Sequence, residues 1–351
     1  MKRNSTIYVN LDAISHNVEV LQSQLSPEVR VMAVIKANAY GHGAGEVAHK
    51  IAHQVDWFAV NDIDEAIELR ESGIKTPILD FGVPEIEMAS LYKKHDVTST
   101  ISATEHFDIL QGETDYHLNF NTGMGRLGFR PEQVEEVLEL MKNYPSLNCT
   151  GIYSHLATAD DPDSDKPNEQ YQLFRKIRKL FDDRLLTHFC NTAGAIRCRE
   201  ASFDMVRLGI GIYGYAPGKL HIPGLQPAVT WRTRLVQVNC IKKGETVSYG
   251  ASWRAPEDGF IGIIPVGYCD GIPRGLSGNF EVRIDGKEYP VAGRVTMNYC
   301  MIFLGQTPLE RGKEVTLLDD TYITAGDWAE KMNTIPYEIL TGLPENIPRR
   351  Y

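Results

Sequence analysis

Val31-Met32-Ala33-Val34-Ile35-Lys36 is apolar through five consecutive positions and ends on a lysine. A strand with one wet face would alternate apolar and polar residues. Unbroken apolarity marks a strand covered on both sides, as in a parallel sheet. Short β-rich runs, most of them apolar nearly throughout, return at residues 57–61, 77–81, 97–101, 116–121, 150–155, 187–191 and 205–208. Helical patterns lie between these runs, most clearly at 64–71, 131–142 and 168–183. Pro131 suits a first helical position, and Glu132 and Glu135 complement the positive end of the helix dipole. Eight strands, each followed by a helix, are the count of a (β/α)8 TIM barrel. A doubly wound open sheet is the rival, which strand counting does not separate. Either fold puts ligands at the carboxyl ends of its strands.

Past residue 225 helical periodicity disappears. Strand-like segments follow at 229–238, 260–266, 281–284, 289–297 and 315–318, with turn signals such as Asp285-Gly286 between them. This reads as a C-terminal all-β domain. The expected division is 1–225 for the α/β barrel and 226–351 for the second domain, with residues 6–10 adding a strand to the second.

The 351 residues carry a formal charge of −10, which argues against non-specific binding to nucleic acid or anionic membrane. Residues 1–6 lack the apolar stretch of a secretion signal, and no segment approaches membrane-spanning length. The six cysteines form no CxxC pair and no zinc-like cluster with histidine. Reduced thiols in the cytoplasm are the expectation.

A lysine ending an apolar strand has its ammonium partly desolvated, which lowers its pKa and makes the amine nucleophilic. An imine with an aldehyde cofactor needs that property, although the position equally suits a lysine snorkelling from a barrel mouth. The surrounding run, Val34-Ile35-Lys36-Ala37-Asn38-Ala39-Tyr40-Gly41-His42-Gly43, resembles the cofactor-lysine signature of the alanine racemase family. Further stretches resembling the family lie at residues 121–128, 154–160, 207–210, 265–268, 293–297 and 336–338, in the family's order. The resemblance implies a pyridoxal 5'-phosphate-dependent barrel followed by a β domain. It also implies a homodimer whose active sites take residues from both subunits, acting on a small amino acid and supplying D-alanine for peptidoglycan.

Gly123-x-Gly125-x-x-Gly128 also matches a dinucleotide fingerprint. No acidic residue follows about twenty positions on at a second strand end, as ribose binding requires. The racemase reading instead uses Arg126 in this loop.

Loops after the seventh and eighth strands of barrels commonly bind phosphate through backbone N–H groups. By resemblance Tyr40, Thr192, Gly209, Ile210 and Tyr337 hold the cofactor phosphate. Arg207 faces the pyridine nitrogen in the family; a guanidinium has no acceptor, so it donates to an unprotonated ring nitrogen and weakens the ring as an electron sink. Racemisation removes a proton from one face of the α-carbon and returns one to the other, so two bases are expected. Lys36 is one. The resemblance makes Tyr268 of the partner subunit the other, linked by His155 to Arg207. Arg126 and the Met297 N–H would hold the substrate carboxylate, and Arg294 and Asp160 resemble residues of the entrance corridor. His42 receives no role.

The chain departs from the family at Asn119, where many members carry a carbamylated lysine, and at Asn121 and Asn298, where aspartates are usual. A buried, unpaired Arg126 would be costly, so a chloride between Asn119 and Arg126 is expected. Three other readings remain open at this point: a broader racemase acting on serine, a decarboxylase of basic amino acids, and a non-catalytic pyridoxal phosphate-binding regulator. Arg207 disfavours the decarboxylase, since those enzymes place a carboxylate at the pyridine nitrogen. Tyr268 in a second domain disfavours the regulator.

Overall fold

The computed structural model describes residues 5–110, 112 and 114–351. The chain forms two compact units, one of residues 14–39 and 43–225, the other of residues 5–13, 40–42 and 226–351. Strand β1 (Ser5–Val9) belongs to the second of these.

The first unit is built on strands β2 (Arg30–Val34), β3 (Trp57–Val60), β4 (Ile78–Asp80), β5 (Ser99–Ile101), β6 (Asp115–Asn119), β7 (Asn148–Tyr153), β8 (Leu186–His188) and β9 (Met205–Leu208). They pair in parallel in the order β4-β3-β2-β9-β8-β7-β6-β5. The ends meet through Asp80 N donating to Thr98 O and Thr98 N to Ile78 O, each at 2.9 Å, which closes the barrel. All eight β-rich runs carry a strand, and the open-sheet alternative falls. The helices at Ile63–Glu71, Val134–Asn143 and Lys166–Arg178 agree with the periodicity. Asp62 caps the first by accepting from Glu65 N at 2.9 Å.

In the other unit β1 pairs antiparallel with β10 (Val229–Arg234), Ile7 opposite Trp231. It lies in a six-stranded sheet, accompanied by a three-stranded and a two-stranded sheet. Trp231, Trp328 and Phe280 fill its core in edge-on contacts, and the Trp231 indole N–H donates to Ser5 Oγ at 2.6 Å. Three details differ from the sequence expectation. Residues 229–238 form no single strand: β10 ends at Arg234 and β11 (Gln237–Ile241) enters another sheet. The run 289–297 leaves strand geometry after Pro290, and Gly293 adopts φ 76° where a Cβ would lie 2.7 Å from Val247 O. Two helices, Ala325–Met332 and Pro336–Thr341, stand among the strands. The first is fixed by a Thr324/Asp327 capping box over buried Trp328 and Ala329.

Among the described residues, no helix is long and apolar enough to cross a membrane.

Candidate active site

Lys36 follows the carboxyl end of β2, where its backbone makes an unusual turn. Ala37, Asn38, Ala39 and Tyr40 all have φ of 52–53°, a left-handed turn made without glycine. L-residues resist that geometry by about 1–2 kcal/mol each, so the surroundings must hold it. Asn38 Oδ1 accepts from Ala44 N at 2.8 Å, and Asn38 O accepts from Gly43 N at 2.9 Å. Glu65 reaches across from the first turn of the helix after β3. One of its carboxylate oxygens accepts from Ala37 N at 2.5 Å and the other from Asn61 N at 2.9 Å. Lys36 Nζ donates to Asn61 Oδ1 at 3.3 Å. Burial, then the nearby Arg126 charge, hold the Lys36 amine below its usual pKa against the opposing pull of Glu65.

Arg207 on β9 is buried, and its guanidinium lies 5.3 Å from the centroid of the Tyr153 ring. Nη1 donates to His188 Nδ1 at 2.8 Å. Nη2 donates to Ser154 O, Phe189 O and His155 Nδ1 at 2.8, 2.9 and 3.1 Å. An arginine can only donate, so both Nδ1 atoms must be acceptors and both histidines carry their proton on Nε2. His188 Nε2 therefore donates to His117 Nδ1, 2.8 Å away. Polarity set by one guanidinium thus runs through two further side chains. Burial and then the Arg207 charge push His155 and His117 down to about 3 and also depress His188, so all three stay neutral near pH 7. The sequence singles out His155 and Arg207 but not His117 and His188, which join them in one hydrogen-bonded chain. The available signal was a polar residue inside otherwise apolar barrel strands.

The phosphate expectation falls on the ends of β8 and β9. Asn191 caps the short helix Thr192–Arg197 by accepting from Gly194 N at 2.9 Å. Thr192 Oγ1 accepts from Gly209 N at 2.9 Å, which leaves its hydroxyl proton to donate elsewhere. A Cβ on Gly211 would lie 2.8 Å from Thr192 Cγ2, and one on Gly194 would lie 2.5 Å from Leu156 Cδ1. Backbone approaches this closely because side chains are missing there, and Ile210 begins the 3-10 turn that follows. A small-residue cradle suits a phosphate, a half-buried lysine at a strand end suits an aldehyde, and a buried arginine can donate to an unprotonated ring nitrogen, so the residues present fit a pyridoxal phosphate.

The Arg126 loop corrects one premise. Gly123, Gly125 and Gly128 take φ of 137°, 73° and 111°, and a Cβ on Gly128 would lie 2.7 Å from Asn121 N. These glycines fold the loop back on β6, which explains the fingerprint spacing without a dinucleotide. Asn121 Oδ1 accepts from Gly123 N and Gly125 N, each at 3.0 Å. Asn119 is buried at the end of β6, but Arg126 is exposed, not buried, because the loop stands at the barrel mouth. The desolvation cost argued for it does not apply within one chain. Asp160 is exposed on the barrel unit, against Gly218.

Tyr268, Met297, Arg294, Tyr337 and Tyr40 lie in the other unit. Gly267 lets two loops touch: its Cβ would be 2.2 Å from Thr296 O and 2.5 Å from Met297 O. Tyr268 N donates to Thr296 O at 3.0 Å. This places Tyr268 beside Met297 with both side chains exposed, and Asn298 Nδ2 donates to Cys269 Sγ at 3.0 Å. Arg294 is exposed next to Gly250. Tyr40 and Tyr337 meet with ring centroids 5.9 Å apart, and burial pushes the Tyr40 phenol up to about 12, so it remains a hydroxyl.

Residues 9–217 match the alanine racemase N-terminal domain family and 228–351 its C-terminal domain family. Alanine racemase 2 of Bacillus subtilis (strain 168) is 37% identical, aligned over 99% of this chain and 95% of its own. The alanine racemase of Streptococcus pneumoniae (strain Hungary19A-6) is 38% identical over 99% and 98%. The crystal structure of alanine racemase from E. faecalis superposes with a TM-score of 0.94 at 32% identity, covering 99% of this chain and 98% of that one. With a closed barrel, a β domain and these full-length relatives, the chain belongs to the alanine racemase family and interconverts L- and D-alanine.

Proposed function

We propose that this racemase holds pyridoxal 5'-phosphate on Lys36 and works as a homodimer, each site completed by the partner subunit's Tyr268. The observation that carries this reading is the Lys36 amine, placed at a strand's carboxyl end with its pKa lowered by burial and Arg126. When bound, the cofactor supplies an electron-withdrawing ring that makes the substrate's α-proton removable.

The chain's residues do the rest. Thr192, Gly209, Ile210, Tyr40 and Tyr337 bind the phosphate. Arg207 donates to the ring nitrogen and keeps it unprotonated, limiting side reactions such as transamination. Lys36 moves a proton on one face of the α-carbon and Tyr268 on the other. A neutral phenol is a poor base, so the tyrosine needs a partner that steadies its phenolate. His155 supplies the help: with Nδ1 accepting from Arg207, its Nε2–H is left to donate to the phenolate oxygen. Arg126 and the Met297 N–H orient the substrate carboxylate, and Arg294 and Asp160 line the entrance.

A boundary near residue 225 separates the cofactor-binding barrel from the domain that serves the partner's site. D-Alanine made this way supplies peptidoglycan. No disulfide joins the six cysteines among the described residues, which supports a reducing, cytoplasmic setting.

The test is direct. Purified enzyme is expected to absorb visible light, and borohydride is expected to fix the cofactor to the peptide containing Lys36. Attachment at another lysine, or a colourless enzyme that still racemises alanine, overturns the assignment.

A further inference from the structure

We propose that Glu65 is a positioning residue of the racemase: its carboxylate ties the turn carrying Lys36 to the end of β3 and supplies the anion that balances the Lys36 nitrogen. The proposal rests on the cofactor-lysine reading above. Its geometry is independent of that reading.

Glu65 stands at the third position of the helix Ile63–Glu71, capped by Asp62. A glutamate there commonly bends back to its own N-cap. Here it reaches past the cap and bridges two strands, with one oxygen on Ala37 N after β2 and the other on Asn61 N after β3. Both acceptors are needed. Ala37 sits in the left-handed turn beyond β2, and its N–H takes its partner from Glu65 rather than from a neighbouring strand. Asn61 in turn receives Lys36 Nζ on its side-chain oxygen, so one carboxylate fixes both the backbone bearing the lysine and the residue its amine rests on.

Charge is the second half of the argument. The groups that act electrostatically on the Lys36 amine or are acted on by it are Arg126, which disfavours its charge, Glu65, which favours it, and His155; burial and Asp62 in turn raise the Glu65 carboxyl, against the backbone N–H groups it accepts from. His155 is neutral near pH 7, so Glu65 is the anion opposing burial and Arg126. Removing its charge lowers the pKa of the Lys36 nitrogen, because the cationic form loses its stabilising neighbour.

The experiment compares wild-type holoenzyme with Glu65→Gln and Glu65→Asp. The pH midpoint of the visible band reports proton loss from the Lys36 nitrogen, and hydrogen exchange of the peptide covering residues 36–40 reports the turn. In Glu65→Gln the midpoint is expected to fall by about one pH unit, a tenfold change in the dissociation constant, and exchange in 36–40 is expected to quicken. Glu65→Asp keeps the charge but is one methylene too short to span both N–H groups. It is expected to hold the midpoint near wild type while exchange quickens, and it serves alone if Glu65→Gln does not fold. A wild-type midpoint in Glu65→Gln, or slow exchange in Glu65→Asp, overturns the proposal. Borohydride attachment in the same samples separates the failures: a label on another lysine removes the cofactor reading, whereas a label on Lys36 with unchanged midpoint and exchange removes only the role of Glu65.

Discussion

Arg207 shows how much one side chain can dictate. It is a fixed cation with no acceptor, and it lies among His188, His155 and two carbonyls, so it sets the tautomer of each ring it touches. The consequence can be measured as stability. His117 and His155 have folded pKa values near 3 against 6.5 in the unfolded chain. A base depressed on folding contributes stability that is present above pH 6.5 and is lost as pH falls toward 3, since only the unfolded state takes up the proton. Each such histidine adds a slope of about 1.4 kcal/mol per pH unit in that window. Chemical denaturation between pH 7 and 4 is expected to show His117→Leu losing stability less steeply than wild type. Parallel slopes would mean that His117 is already charged in the folded protein, or stays neutral in the unfolded ensemble. None of this polarity is legible in the sequence, because His117 and His188 are far apart in the chain and meet only when β6 and β8 lie in one barrel.

Elements divide by how plainly their residues announce them. The barrel strands were legible because a parallel strand buried on both faces is mostly apolar, as β2 is from Val31 to Val34. The Ala325–Met332 and Pro336–Thr341 helices were not, since eight and six residues hold too few turns for a periodicity to stand out. The left-handed turn at Ala37–Tyr40 was also hidden: its residues are ordinary, and Glu65, which holds it, comes from another strand-helix unit. The loop after β6 has a legible departure but needed correction. Asn119 is buried where a carbamylated lysine is usual, and Asn121 spends its carbonyl oxygen on Gly123 N and Gly125 N. Neither asparagine brings a negative charge to Arg126. We therefore expect chloride between Asn119 and Arg126 in the assembled enzyme. Racemase activity should rise with chloride and ignore added bicarbonate, and a bromide-soaked crystal should show an anomalous peak within reach of both side chains. Chloride-independent rates without such a peak would mean that water and the amide of Asn119 are enough.

At the scale of the whole molecule, the two proposed bases belong to different compact units of the chain. Lys36 is in the barrel unit and Tyr268 in the other, its ring exposed on a surface loop. An exposed catalytic tyrosine has no medium of low dielectric around it and no partner to steady its phenolate, so it needs a second surface to become useful. A two-fold dimer provides one, because each subunit then lends its tyrosine to the other's barrel. This makes a prediction that stability measurements on single chains cannot. Lys36→Ala and Tyr268→Phe homodimers should each be inactive, and Tyr268→Phe should still bind cofactor and absorb visible light. After mixed refolding, a heterodimer has one site with both bases and one with neither. Random association makes half of the dimers mixed, so recovery should approach about one quarter of wild-type activity. Each chain carries only one intact base, so if a site drew both from one chain, mixing would restore nothing. A mixture proven by mass to contain heterodimers, yet inactive, would place Tyr268 in its own chain's site and remove the shared-site arrangement.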